Sequence, residues 1–495
     1  MEWLGAPDYW LGRQIMERGI AAVYSIAFVA AARQFRALLG EQGMLPIPNL
    51  LARRSFLQAP SVFHLRYSDR LFAVLCWIGA MTAAAMAAGV ADLVPLWVAM
   101  AGWLLLWVLY LSIVTVGQTW YAFGWESLLL EAGFLAIFLG NDRTAPPMLT
   151  LWLARWLLFR VEFGAGLIKL RGDPCWHDLT CLYYHHETQP MPGPLSWLFH
   201  HLPRPLHRIE VAANHFAQLV VPCALFAPQP VASLAAAVVV VTQLWLVLSG
   251  NFAWLNWLTI ILACGAIDDS AAAALFPVPA RPALPGPPLW FAISVIAFTV
   301  LVVYLSYWPV HNMLSRRQRM NQSFNPFHLV NTYGAFGSIG RARDEVVFEG
   351  TDAVELTDET VWREYEFKGK PGDPRRLPRQ WAPYHLRLDW LLWFAAMSPL
   401  HARGWLGPFV VRLLTNEPDT LKLLRHNPFR ESPPRYVRAL LYRYRFTTPA
   451  ELWHTRAWWH RTLIGEYLPP VAVGAPTNTV SNRNPFPDNH SGGIG

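Results

Sequence analysis

Charge is scarce in this sequence. Only 15% of its residues are Asp, Glu, Lys or Arg, against about 25% in soluble domains. The scarcity is uneven, and none of the four occurs from 93 to 125 or from 211 to 267. Such runs exceed the roughly 18 uncharged apolar residues that mark a membrane-spanning helix, which excludes a purely soluble chain. Cysteine is sparse too, with 5 in 495 residues, too few for the disulfide scaffold of a small secreted domain. No C-x-x-C occurs, so thioredoxin-type redox chemistry lacks its usual motif. No G-x-S-x-G occurs either, so the chain does not read as a serine lipase itself. Its start carries Asp8 and Trp10 where a basic region would precede a signal peptide, and no cleavable signal peptide is expected. The net charge of +7 comes mostly from arginines in loops. It reads as anchoring against anionic lipid and not as nucleic-acid binding.

What is present is a polytopic α-helical membrane bundle followed by a less apolar region. Apolar segments predict about nine spanning helices, near 17–39, 71–91, 95–116, 119–140, 147–170, 209–226, 230–248, 252–267 and 289–310. This membrane domain occupies 1–311. After the basic exit Arg316-Arg317-Gln318-Arg319, residues 312–468 read as a C-terminal α+β soluble domain. Strands are expected at 345–349, 353–356, 363–368 and 435–446, and helices at 390–397 and 409–415. The domain offers Trp362, Tyr365, Trp381, Tyr384, Trp390, Tyr436, Tyr442, Tyr444, Trp453, Trp458 and Trp459 as contact residues, of types enriched at protein interfaces. Residues 469–495 read as a disordered tail rich in Pro, Asn and Gly.

The most informative stretch is 160–194. It begins inside a spanning segment and runs into a loop, 171–208, crowded with Cys, His, Tyr and Trp. Arg155, Glu162 and Lys169 are spaced i, i+7, i+14, which puts all three on one helix face, with Arg160 on another. Charge at that depth costs roughly 2.5–3.5 kcal/mol per group on insertion scales, so partners are expected. Glu126 and Glu131 on the preceding segment are the natural ones for Arg155 or Arg160. Ion pairs that lock two helices and a polar ligand pocket both fit this pattern. Lys169 reads either as a lysine snorkelling from the helix end or, if paired, as bonded to Glu162 or Asp173. Cys175 and Cys181 share the loop and would close a small disulfide ring in an oxidising compartment. His177, His185 and His186 with Cys175, Cys181, Asp178 and Glu187 offer zinc-type donors, but at no standard spacing. A hydrogen-bonded loop anchored by imidazoles is the reading adopted, with no metal and no cofactor.

The run Gly172-Asp173-Pro174-Cys175-Trp176, then 178–181 (Asp-Leu-Thr-Cys), His185 and 187–192 (Glu-Thr-Gln-Pro-Met-Pro) resembles the signature of the lipase maturation factor family. The likeness continues near 34–46, 331–337, 362–368 and 370–376 and so covers most of the chain. It implies a membrane-resident, multi-pass factor assisting secreted lipases or other client proteins, with the C-terminal domain as client surface. It also implies the endoplasmic reticulum membrane, although an Ala- and Arg-rich composition suggests a bacterial-type member and an inner membrane. A shorter likeness lies in Phe163, Ala165, Gly166, Lys169 and Leu170, which resemble an element of vitamin K-dependent gamma-glutamyl carboxylases. That likeness implies an intramembrane enzyme acting on a lipid or quinone-type substrate, with Lys169 as general base and Glu162, His177 and His185 nearby. Orientation is read two ways. The Arg-rich loops share one face, which the positive-inside rule makes cytoplasmic; the family resemblance places the C-terminal domain in the lumen.

Overall fold

The computed structural model describes residues 4–277 and 283–473. The longer helices of the membrane half are α1 (Trp10–Leu38), α2 (Asp69–Ala87), α3 (Leu96–Val116), α4 (Gly124–Ala136), α5 (Met148–Arg171), α6 (Leu182–Thr188), α7 (Arg204–Leu219), α8 (Val231–Ser249), α9 (Leu255–Cys264), α10 (Leu289–Leu305) and α11 (Tyr307–Leu314). Their starts carry local signals. Ser68 accepts a hydrogen bond from Leu71 N at 3.1 Å and caps α2, while Pro95, Pro147 and Pro288 immediately precede α3, α5 and α10, where proline's fixed φ suits a helix entry.

Five stretches are long and apolar enough to cross a bilayer: Pro7–Leu38, Asp69–Ala87, Leu96–Val116, Val231–Ser249 and Leu289–Leu314. The other four expected spans are helical but fall short of that standard. α4 and α9 have 13 and 10 residues, about 20 and 15 Å of helix at 1.5 Å per residue. α7 has 16 residues and opens on Arg204, His207, Arg208 and Glu210. α5 is long enough, at 24 residues, but carries the charges that lower its apolarity. α5 packs against α4, α7, α9 and α10, so it lies inside the bundle.

The C-terminal half contains β1 (Arg343–Thr351), β2 (Arg363–Glu364), α12 (Arg387–Met397), α13 (Leu406–Leu414), β3 (Tyr436–Phe446) and β4 (Trp459–Ala472). The strands form one antiparallel sheet in the order β2-β1-β3-β4. Val346 faces Leu441 and Phe348 faces Ala439 across the β1–β3 ladder. That face packs on α12 and α13, with Phe348 edge-on to Phe409 at 5.2 Å. Arg343 faces Tyr444 on the opposite face, where Phe446 stacks on Trp459 at 4.0 Å. Both faces are therefore covered, by helices at one end and by the signature loop at the other.

Several expectations need correcting here. Residues 353–356 form no strand, and of 363–368 only Arg363–Glu364 does; turns and an isolated bridge, Glu366 to His426, take the remainder. β4 continues to Ala472, past the expected tail boundary at 469, because Tyr436 and Val437 still offer it partners. Residues 474–495 of that tail lie outside the described residues. The aromatic residues expected on the surface are mostly internal. Tyr365, Trp390, Tyr444 and Trp459 are buried, and of the eleven only Trp453, 78% accessible, is exposed. Aromatic rings bury more apolar area than most side chains; Trp390 packs on Trp125 of the bundle, whereas Tyr365 packs on Phe429 within the domain.

Candidate functional site

The signature stretch is the joint of the molecule. At Gly172 the chain leaves α5 so close to the Gly337 carbonyl that a Cβ would have no room. Asp173 accepts from Cys175 N at 3.0 Å, capping the turn Pro174–Trp176. Its backbone N–H donates to Gly337 O at 2.8 Å, and its carboxylate meets Arg341 at 2.7 Å. Cys175 and Cys181 form a disulfide, Cα to Cα 4.8 Å. The Trp176 indole N–H donates to Phe336 O at 2.9 Å. This half of the signature thus clamps the segment 336–341 that leads into β1.

The second half clamps the bundle and the sheet. The Gln189 amide N–H donates to His186 O at 3.0 Å, Ser196 Oγ at 3.0 Å and Ser249 O at 2.8 Å, the last at the end of α8. Asn251 accepts from Trp381 N at 2.6 Å and Ala382 N at 2.8 Å and donates to Arg379 O at 3.0 Å. Arg343 at the start of β1 is fully buried. It donates to Glu187 O at 3.0 Å, to Pro190 O at 3.0 Å and to Gln189 O. It also pairs with Glu345 at 2.6 Å, which Lys370 meets from the other side at 2.9 Å. The Glu187 carboxylate accepts from Phe446 N at 2.6 Å, and Trp393 of α12 donates to Thr188 O at 3.0 Å.

The buried charges of α4 and α5 end on fixed partners. Arg160 makes two hydrogen bonds to Glu131, which also accepts from Asn331 N at 3.0 Å and Tyr333 OH at 2.8 Å. Glu126 pairs with a residue outside the bundle, Arg387 of α12, at 2.6 Å; Tyr110 OH donates to the same carboxylate. Gln34 of α1 adds a two-point clamp, donating to His385 O at 2.8 Å and accepting from Arg387 N at 3.1 Å.

The stripe Arg155, Glu162 and Lys169 faces the segments after the loop. Arg155 donates to Leu225 O at 3.3 Å and lies over the Tyr9 ring at 5.2 Å. It meets neither expected glutamate, since Glu131 and Glu126 have other cations. Glu162 accepts from Gln243 at 2.7 Å. Lys169 is 5% exposed, so it does not snorkel. Its ammonium donates to Asn214 at 2.9 Å and Gln218 at 2.8 Å and lies 4.9 Å from the Trp176 ring centre. The expected bonds to Glu162 or Asp173 are replaced by these two amides of α7, because Asp173 is held by Arg341. His177 and Asp178 are exposed, whereas His185 and His186 are buried. With Cys175 and Cys181 bonded to each other, the donor set suggested by the sequence is dispersed.

Gln34, Asn251, Asn331, Arg343, Glu345, Lys370 and Arg387 were not singled out from the sequence. For Arg343, Glu345 and Arg387 the available signal was a charge beside an apolar or strand-like run; Lys370 lies in a turn-like stretch, and Gln34, Asn251 and Asn331 carry no charge. The charged groups here meet an opposite charge, an amide, a ring or a carbonyl, an arrangement that holds two domains in one geometry.

Comparison with known proteins matches residues 11–274 to the lipase maturation factor transmembrane domain and residues 329–469 to the lipase maturation factor C-terminal domain. The chain is 41% identical to lipase maturation factor 1 of Bos taurus over 95% of this chain and 90% of that protein. Against lipase maturation factor 1 of Homo sapiens the identity is 39%, over 94% and 88%. Lipase maturation factor 2 of Xenopus laevis is 28% identical, over 95% and 83%. No solved structure matches.

Proposed function

This chain belongs to the lipase maturation factor family, and from that premise we propose that it is a multi-pass membrane factor assisting the folding and assembly of secreted lipases. The observation that carries the reading is the joint. A signature loop welded to both bundle and sheet holds the C-terminal domain rigidly at the membrane, as a client surface requires. β4 is an edge of the sheet, with Leu463 and Ile464 exposed. Free strand edges recruit extended chains through main-chain hydrogen bonds, and β4 is where an incompletely folded lipase would dock.

The test is co-expression with a secreted lipase, reading its specific activity in the medium. The chain should raise activity per mass of lipase severalfold; equal activity with and without it would remove the reading. Position 169 separates a helper from a carboxylase-like enzyme. Lys169→Arg keeps a cation that can donate to Asn214 and Gln218, but it cannot act as a base near neutral pH. We expect Lys169→Arg to retain most maturation activity and Lys169→Met to lose it. An arginine variant that folds normally yet is as inactive as the methionine one would favour the enzyme.

The reading includes nine crossings. What supports it is that helix ends alternate between two faces. Arg13, Asp92, Asp142 and Thr144 gather at one face, where Arg13 bonds Asp142 and Thr144 O and Gln14 bonds Asp92. Gln34, Glu126, Lys169 and Ser249 lie at the ends that meet the loop and the C-terminal domain. The short α4 and α9 cross because neighbouring helices shield their ends from lipid. The bonded Cys175–Cys181 pair favours a non-cytoplasmic side for that second face, periplasmic for an inner-membrane protein and lumenal for one in the endoplasmic reticulum. A Ser432→Cys variant, with Cys76, Cys223 and Cys264 changed to serine, should react with an impermeant maleimide in intact bacterial spheroplasts. Reaction only after permeabilisation would put the domain in the cytoplasm.

A further inference from the structure

His186 lies on α6 of the signature loop, and His207 and Glu210 lie one turn apart at the start of α7. Among the described residues these three form a metal-capable grouping, with one donor atom from each all within 4.8 Å of one another. Both histidines are 2% exposed. Neither ring nitrogen of His186 has a hydrogen-bond partner, and neither has His207 Nδ1 or Glu210 Oε2. Leaving a buried polar group without a partner costs about 1–3 kcal/mol, so several together call for an occupant.

His207 and Glu210 are each held through their other polar atom. His207 Nε2 lies 3.3 Å from His200 O; donating that proton leaves Nδ1 unprotonated. The same backbone contact orients metal-bound imidazoles in known sites. The Trp245 indole N–H donates to Glu210 Oε1 at 2.5 Å, which leaves Oε2 free, 3.7 Å from His207 Nδ1. The His186 and His207 rings lie 5.7 Å apart. His200 has its Nε2 towards Glu187, at 3.7 Å, and is not counted as a ligand.

We propose that His186, His207 and Glu210 bind a divalent transition metal of the zinc class, pinning the signature loop to α7. Two imidazoles and a carboxylate suit zinc, with water in the fourth position. Donors within 4.8 Å of one another are close enough for small side-chain adjustments to bring them to the roughly 2.0–2.2 Å that zinc takes from nitrogen and oxygen. The role is structural. The ion would tie α6, whose Glu187 and Thr188 contact the sheet domain, to the bundle helix whose amides hold Lys169. His207 and Glu210 were not among the donors considered from the sequence.

The test uses the full-length protein in detergent, purified without a histidine tag, stripped with chelator and dialysed. Cobalt(II) serves as the probe, since four-coordinate cobalt absorbs strongly in the visible. We expect about one cobalt per chain, the absorption of a four-coordinate site, displacement by zinc, and a melting temperature that zinc raises and chelator lowers. His207→Gln and Glu210→Gln should lose the absorption and the response to zinc, while His201→Gln, a neighbouring histidine outside the cluster, should keep both. A folded native protein that takes up less than about 0.1 equivalent, or whose cobalt spectrum is unchanged in His207→Gln, would overturn the proposal. Should the variants fail to fold, the titration and melting of the native protein decide alone.

Discussion

Arg387→Leu should lower the melting temperature in detergent by on the order of 10 °C and release the C-terminal domain from the bundle. The residue is fully buried, and its guanidinium meets Glu126 at 2.6 Å and Trp120 O at 2.7 Å and lies 3.4 Å from the centre of the Tyr121 ring. Removing one partner of a buried pair leaves the other charge in a medium that cannot solvate it, at a cost of about 3–5 kcal/mol. His385 lies 3.4 Å from Glu126 but does not replace the arginine, which also donates to Trp120 O and lies over the Tyr121 ring. Removing both charges avoids the stranded carboxylate, so the double variant Glu126→Gln, Arg387→Met should recover much of the loss. Thermal melting with limited proteolysis reads both effects. A single variant that melts within a degree of the parent would mean that the pair does not hold the domains together.

Arg343→Met should abolish client maturation while leaving the helices inserted. Arg343 supplies donors to three carbonyls of the signature loop and to Glu345, all in a buried seam. Hydrogen bonds from a charged donor are worth about 1.5–3 kcal/mol each, and they fail together when the donor goes. Lys370 would remain as the sole cation beside Glu345. The loop and β1 should then separate, seen as protease cleavage near 187–192 and loss of secreted lipase activity with unchanged membrane content. An Arg343→Met protein with intact activity and protection would show that the loop-to-sheet joint is dispensable.

How much of this was legible depended on how far apart the partners lie in the chain. The helical period placed Arg155, Glu162 and Lys169 on one face, and in the structure they meet, in turn, the connection between α7 and α8 at Leu225, Gln243 of α8, and Asn214 and Gln218 of α7. Arg160 and Glu131 lie on adjacent segments, so their proximity followed from the order of the helices. Glu126 was a different matter. Its cation is 261 residues away, and no local period encodes such a distance. The aromatic residues of the sheet domain misled for a physical reason. Tyr and Trp suit an exposed contact and a wet core equally well, and only the covering of both sheet faces decides between them. His207 and Glu210 escaped notice because they fell on either side of an expected boundary, the first in the loop 171–208 and the second in the helix expected at 209–226. The fold of the loop carries His186 back to them.

The distance between Glu126 and Arg387 also sets an order of events in biosynthesis. At about 5–20 residues per second, the arginine leaves the ribosome roughly 13–50 s after the glutamate. Throughout that interval α4, one of the nine proposed crossings, holds a carboxylate whose counter-ion has not yet been made. A ribosome that stops before position 387 therefore releases a chain carrying a ready mark of incompleteness, legible to any machinery that surveys polar groups in the bilayer. A protein that attends to the maturation of others thus has its own helical bundle finished only after about half of its C-terminal domain has been synthesised.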